Sequence, residues 1–326
     1  MNQFSYVRPA SLKAAVDAVA KDNSARFIAG GTNLLDLMKS GVMIPEKLVD
    51  INRLPLKDIQ LNGNTLHIGA LALNSELAAH ELVTTHHPLL SQALLAGASQ
   101  QLRNMATVGG NMMQRTRCTY FYDTTMPCNK RSPNSGCGAI GGINRMHAIF
   151  GASESCIAVH PSDMCVALAA LDATVLVTGP KGNRRIPFTD FHRLPGNTPQ
   201  LDNNLAKGEL ITAVEIPANA YTKNVYYLKV RDRASYAFAL VSVAAALDIS
   251  NNVIRSARLA MGGVAHKPWR LYEAEKALAG KTPTEENFRA AAAIALQSAK
   301  TYQHNQFKTG LSVNSIQTAL LKAASV

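Results

Sequence analysis

The chain has 326 residues, 47% of them hydrophobic, which is enough for two or three cores at ~100 to 200 residues per domain. No window approaches the ~18 consecutive apolar residues of a bilayer crossing, and MNQFSYVRPASLKAAV has neither the apolar run nor the cleavage site of a secretory signal, so no membrane span or export signal is expected. The formal charge of +11 is scattered, with no Lys/Arg stripe interleaved with aromatics, which argues against nucleic acid and leaves a docking surface or an anionic ligand to explain it.

In chain order, Ser11 is an N-cap for LKAAVDAVA, whose Leu12, Val16 and Val19 share one helical face. RFIAGG reads as a strand ending in paired glycines, TNLLDLMKSG as a helix closed by Gly41, and KLVDI as a second strand, together a βαβ unit. TLHIGALA alternates and opens a second subdomain, with helices at SELAAHEL and PLLSQALLAGAS. A cysteine-rich loop follows at about 112–157, then a helix at PSDMCVALAALDA capped by Ser162, strands ATVLVTG and RRIPF around the turn PKGN, and a strand at ELITAVEIP. Composition changes near 218–223. Beyond it NVYYLKV, FALVSVAAALDI and VIRSARLAMGGV read as strands joined by turns such as SNN, and EAEKALAG, EENFRAAAAIALQSAK and SIQTALLKAAS as helices. The expected fold class is α+β: a two-subdomain module over 1–219, then an α+β domain over 222–326 with helices on an antiparallel sheet.

Two glycine pairs stand out. Gly30 and Gly31 lie where a strand turns into a helix, so bare N–H groups and the positive helix end can hold an anion, with Thr32 and Asn33 as further donors. NMATVGGN supplies a second pair between Thr107 and Asn111, and two such loops can grip one pyrophosphate from both sides. Neither matches G-x-G-x-x-G or G-x-x-x-x-G-K-[ST], which points to a dinucleotide in an architecture other than a Rossmann or P-loop fold.

Four of the five cysteines, Cys118, Cys128, Cys137 and Cys156, fall in a C-x9-C-x8-C-x18-C pattern within a segment rich in Gly, Pro, Asn and Ser. Four thiolates satisfy a zinc ion or a [4Fe–4S] cluster; the close C-x2-4-C knuckles of structural zinc and the C-x2-C-x2-C run of bacterial ferredoxins are both absent. Spacing alone also leaves disulfides and buried free thiols open. Arg115, Arg117, Lys130 and Arg131 lie near the first three cysteines, either against the thiolates or as a solvated or docking face, while Tyr120, Phe121 and Tyr122 are expected to shield a centre from water. Cys165 reads as a small buried hydrophobe in a helix.

FIAGGTNLLDL, QLRNMATVGGN, GELITAVEIP, YYLKVRDRASYAFALVSVAAAL and GGVAHKPWR resemble successive segments of the flavin-binding medium subunits of the xanthine dehydrogenase family of molybdenum hydroxylases, and the likeness covers nearly the whole chain. With its cysteine loop the chain most resembles the branch of bacterial periplasmic aldehyde oxidoreductases. The resemblance implies FAD, with Phe27, Ile28, Ala29, Gly30, Gly31, Thr32, Asn33 and Leu34 around the pyrophosphate and ribityl region and Thr107, Gly110 and Asn111 completing the grip. It places Asp163 on the ribityl hydroxyls, Ile211 by the isoalloxazine ring and Lys229 at its polar edge. Cys118, Cys128, Cys137 and Cys156 match the ligands of a [4Fe–4S] cluster.

The implied activity is electron transfer in an aldehyde oxidoreductase, with no aldehyde site and no catalytic residue in this chain. The implied partners are a large molybdopterin-binding subunit, a small [2Fe–2S] subunit and an external electron acceptor. Location in the periplasm would follow from co-export on a partner's twin-arginine signal. Two other readings remain at this stage: a medium subunit like that of hydroxybenzoyl-CoA reductase, and, in a different class, a zinc-stabilised basic nucleic-acid-binding protein.

Overall fold

The computed structural model describes residues 1–325. Strands β1 (Ser5–Val7), β2 (Ala25–Ile28) and β3 (Lys47–Asp50) form a parallel sheet with β3 in the middle. The helix Leu12–Ala20 joins the first two; Ser11 accepts a hydrogen bond from Ala14 N, and Ala15, Val16 and Val19 are its buried face. β2, the helix Leu34–Lys39 and β3 make the expected βαβ unit, while β1 was not anticipated.

A five-stranded sheet follows, built from β4 (Ile59–Asn62), β5 (Thr65–Gly69), β6 (Thr174–Gly179), β7 (Gly182–Pro187) and β8 (Leu210–Ile216) in the order β4-β5-β8-β6-β7. The segment read as one helix at SELAAHEL is two, Asn74–Ala79 and Glu81–His86, because His80 takes extended backbone between them. These helices pack with Pro88–Ala96 and the wholly buried Asp163–Ala170, whose N-cap Ser162 accepts from Cys165 N.

The third sheet comprises β9 (Val225–Val230), β10 (Val241–Ser250), β11 (Val253–Gly262) and β12 (Trp269–Arg270), antiparallel in the order β12-β11-β10-β9. Asn251 and Asn252 both have positive φ, +51° and +58°, the conformation a two-residue hairpin turn requires. The apolar run VSVAAAL does not alternate because both faces of β10 are covered. Val243, Ala245 and Leu247 pack on the helices Tyr272–Leu278, Glu285–Ala295 and Phe307–Ala324, whereas Ala244 and Ala246 join the core that contains Asp163–Ala170. The C-terminal sheet is therefore clamped onto the preceding module. Within that module, residues 113–162 form a long loop, broken by the one-turn helix Thr119–Tyr122, whose far end is tied to the C-terminal part: Ile149 N and Phe150 N both donate to Val264 O, and His160 N donates to Ala265 O.

Candidate functional site

The two glycine loops meet. A Cβ on Gly30 would lie 1.8 Å from Met105 O, so Gly30 is required by contact between the loop backbones, whereas Gly31 is required by its φ of +71°. Within the described chain no hydrogen bond uses the N–H of Gly30, Gly31, Thr32 or Asn33. The second loop differs: Val108 N donates to Ala72 O, Gly109 N to Ala70 O, Gly110 N to Thr107 Oγ1 and Asn111 N to Thr107 O, so its amides are spent on holding its own shape.

Asn33 Oδ1 accepts from Arg115 N at 2.9 Å, and Asn33 Nδ2 is buried with no partner. Four free amides and an orphaned amide donor beside a cleft of about 650 Å³ suit a large anionic ligand. Phe27, Ile28, Ala29, Gly30, Gly31, Thr32, Asn33, Leu34, Thr107, Gly110 and Ile211 all line that cleft. Residues 200–203 and 205–208, which the sequence reading left as connecting chain, also line it, as do Arg26, Leu37, Met43 and Arg115.

Asn111, Asp163 and Lys229 stand beyond the cleft. Asn111 Oδ1 accepts a short hydrogen bond from Ser162 Oγ, which places the second loop against the start of the helix that carries Asp163. Asp163, one of the buried carboxylates, accepts from Lys229 Nζ at 2.7 Å and from Tyr227 Oη at 2.8 Å. Lys229 also donates to Ala96 O at 3.1 Å. It is a buried half of an ion pair rather than a solvated strand residue. Burial and the neighbouring Asp163 charge drive the Tyr227 phenol well above its ordinary value, so it remains a donor. Asp163 lines a second cavity of about 370 Å³ together with Ser162, Arg117, His147, Phe238 and Cys118.

Cys118 also faces a third, small cavity, which it lines with Cys128, Cys137 and Cys156. The four cysteines far apart in the loop therefore converge, and none of the five in the chain is in a disulfide. The turn between Cys128 and Cys137 is closed by Asn129 N to Gly136 O and Gly138 N to Pro127 O, which sets these two residues opposite each other. Burial pushes the Cys118 thiol up to about 11 against opposing N–H groups of Phe121 and Tyr120. Cys137 and Cys156 share a hydrogen bond that draws Cys137 down and drives Cys156 up; N–H groups of Ala139, Ile157 and Ile140 assist Cys137. Sulfurs surrounded by backbone donors suit thiolate ligands of a metal centre.

A single zinc ion would draw its sulfurs to ~3.8 Å from one another at Zn–S of ~2.3 Å. Among the described residues the one group of three candidate ligand atoms within 4.8 Å is His160, Cys165 and His192, not any three of the loop thiols. Burial first, then the charges of His192, Lys130 and Arg117, hold the His160 imidazole of that group well below its ordinary value.

The basic residues of the loop turn inward. Lys130 Nζ donates to Asp202 Oδ1 and to Pro199 O at 2.7 Å; Arg115 Nε donates to Asp202 Oδ2 at 2.7 Å, with its guanidinium over the Phe121 ring. Although burial opposes it, these two cations hold the Asp202 carboxyl below the usual range. Arg131 donates to the carbonyls of Tyr120 and Phe121, and Arg117 to Tyr122 Oη. Tyr120 and Phe121 wall the thiol cavity, whereas Tyr122 does not reach it. The sequence reading missed two histidines beside the thiols: His147 Nε2 is 3.1 Å from Cys118 Sγ and His266 Nε2 is 3.3 Å from Cys156 Sγ. A lone histidine in a loop carries no spacing signal.

This architecture, a glycine-loop cleft in a two-sheet module followed by a helix-backed antiparallel sheet, is that of a flavoprotein subunit. Residues 2–219 match the family described as the FAD binding domain in molybdopterin dehydrogenase, and residues 226–323 the CO dehydrogenase flavoprotein C-terminal domain. The chain belongs to this family of FAD-binding medium subunits of molybdenum hydroxylases.

It is 48% identical to the aldehyde oxidoreductase FAD-binding subunit PaoB of Escherichia coli across 99% of both chains. It is also 33% identical to the glyceraldehyde dehydrogenase medium chain of Sulfolobus acidocaldarius, over 86% of this chain and 82% of that one. Among solved structures, carbon monoxide dehydrogenase of Hydrogenophaga pseudoflava superposes with a TM-score of 0.78 at 26% identity, covering 99% of this chain and 98% of the other. Quinoline 2-oxidoreductase of Pseudomonas putida 86 gives 0.77 at 27%, with the same coverage. No helix among the described residues is long and apolar enough to cross a membrane.

Proposed function

We propose that this chain is the FAD- and [4Fe–4S]-carrying electron-transfer subunit of a molybdenum-dependent aldehyde oxidoreductase, organised as a flavin module over 1–219 and a C-terminal domain over 222–326. The observation that carries the reading is the shared residue Cys118, which lines both the cavity holding Asp163 and the cavity holding the other three thiols. When bound, a flavin stores two electrons and a cluster passes one at a time, so adjacent sites for the two suit relay of electrons. The 48% identity to an aldehyde oxidoreductase subunit over the full length supports the aldehyde as substrate class.

The residues divide the work. The free amides of Gly30 to Asn33 and the unpartnered Nδ2 of Asn33 receive the pyrophosphate, while Thr107, Gly110 and Asn111 hold the facing loop rigid. Asp163, fixed by Lys229 and Tyr227, accepts from ribityl hydroxyls; Lys229 supplies positive charge near the flavin and Ile211 an apolar wall. Cys118, Cys128, Cys137 and Cys156 hold the cluster in the small cavity, where Phe121 excludes water. Aldehyde oxidation itself belongs to a large molybdopterin-binding subunit, reached through a small [2Fe–2S] subunit, with an external acceptor taking the electrons. Export to the periplasm with a signal-bearing partner completes the proposal.

The test is anaerobic mixing of the isolated, cofactor-loaded chain with an aromatic aldehyde while flavin absorbance is followed. No bleaching is expected until the two partner subunits are added. Bleaching at a catalytic rate by the chain alone would place an aldehyde site within it and overturn the proposal.

A further inference from the structure

Two of the four loop thiols have an imidazole within hydrogen-bonding distance, in each case approaching through the same nitrogen: His147 Nε2 at 3.1 Å from Cys118 Sγ and His266 Nε2 at 3.3 Å from Cys156 Sγ. Both histidines are buried, at 5% and 7% exposure, and the Nδ1 atom of each is buried without a partner. A cysteine sulfur bound to iron has lost its proton and can only accept. The nitrogen must therefore bring the hydrogen, which fixes both rings as the Nε2–H tautomer with the lone pair on Nδ1. An N–H left unpaired inside a protein is costlier than a lone pair left unpaired, so this tautomer also agrees with the orphaned Nδ1 atoms.

We infer that His147 and His266 are positioning residues that set the reduction potential of the centre held by the four cysteines, by each donating a hydrogen bond to a ligand sulfur. This rests on the cluster reading above. Reduction adds one negative charge to an iron–sulfur centre, and an N–H dipole aimed at its sulfur stabilises the reduced form more than the oxidised one. Removing either donor should therefore lower the potential.

The two rings are held by different parts of the chain. The backbone of His147 is gripped by Lys308 Nζ and Asn305 Nδ2, which both donate to its carbonyl at 3.0 and 3.3 Å. Its ring is tilted against Tyr120, with centroids 6.4 Å apart. His266 comes from the strap following β11, beyond Gly263, whose φ of +72° turns the chain back and whose carbonyl also accepts from Lys308 Nζ. One lysine thus fixes both the loop that carries the first donor and the strap that carries the second. The C-terminal domain consequently contributes to a centre whose four cysteines all precede it in sequence.

The experiment is an EPR-monitored redox titration of the chain reconstituted anaerobically with iron and sulfide. His147→Leu and His266→Leu should each lower the midpoint potential with iron per chain unchanged. The double variant should lower it further, and His147→Gln, which keeps an N–H donor, should recover part of the shift. Unchanged potentials in iron-replete Leu variants would overturn the inference while leaving the cluster reading intact.

Should the variants lose iron, the unmodified protein labelled with ¹⁵N-histidine decides. Pulsed EPR of its reduced centre should show weak nitrogen coupling, and its absence refutes the contact. Failure of the unmodified chain to take up iron at all would remove the cluster reading, and the inference with it.

Discussion

Gly30→Ala is the sharpest probe of the cleft. The added Cβ would stand 1.8 Å from Met105 O and 2.7 Å from Met105 C, whereas real Cβ contacts essentially never fall below 3.0 Å. Both obstructing atoms are backbone, and the second loop cannot yield cheaply because its amides from Val108 to Asn111 are all engaged. The loops must separate by roughly 1 Å or more, an overpacking that costs about 1 to 3 kcal/mol. Because the separation opens the grip on the pyrophosphate, the same energy appears as a roughly 5- to 150-fold loss of FAD affinity. Titration of flavin-stripped protein with FAD, followed by fluorescence quenching, reads this directly. Gly310→Ala, in a helix with nothing within 4 Å of the added methyl, is the control and should bind FAD normally. Full affinity in Gly30→Ala would show that the two loops do not act as one rigid clasp.

Lys229→Met leaves the Asp163 carboxylate buried with no countercharge and only the Tyr227 hydroxyl donating to it, and should cost about 3 to 5 kcal/mol in urea denaturation. Adding Asp163→Asn should return much of that loss, and two additive losses would contradict the pairing. His87 and His192 are held down to about 4 by burial, against an ordinary value of 6.5. The unfolded chain therefore takes up their protons first, and the stability they contribute is complete above pH 6.5 and lost as pH falls towards 4. The loss is ~3 kcal/mol for each, and a flat denaturation midpoint between pH 7 and 4.5 would refute it. Serine at Cys118, Cys128, Cys137 or Cys156 should reduce bound iron, whereas Cys165→Ala should leave iron intact because Cys165 lies inside the core helix. Loss of iron only from the Cys165 variant would show that the wrong four were assigned.

Much of the frame is readable from residue pattern. The LKAAVDAVA face, the βαβ unit around Gly30 and Gly31, and the asparagine turn between β10 and β11 all follow from local rules that tertiary packing did not override. What escaped had no local signature. β1 is three exposed residues that acquire strand geometry only by pairing with β3, and β4, IQLN, alternates apolar and polar residues but over only four residues, mostly exposed at a sheet edge, too short a period to stand out. His80 breaks one apparent helix into two through its backbone conformation, which the apolar period does not report.

At the site, residue types revealed which side chains carry the chemistry but not what surrounds them. The glycine pair is legible, yet the reason for Gly30 is a carbonyl 75 residues further along, on Met105. Lys130 and Arg115 read as loop charge until Asp202 is seen between them. His147 and His266 gain meaning only from the folding of two domains around the thiols.

The central claim, a flavin and a four-iron centre carried together by this one chain, is tested most directly by counting cofactors in protein purified without oxygen. Iron, acid-labile sulfide and released flavin should be found at about four, four and one per chain, with the reduced protein giving the EPR signal of a cluster. Flavin with no iron, or zinc in its place, would contradict the account.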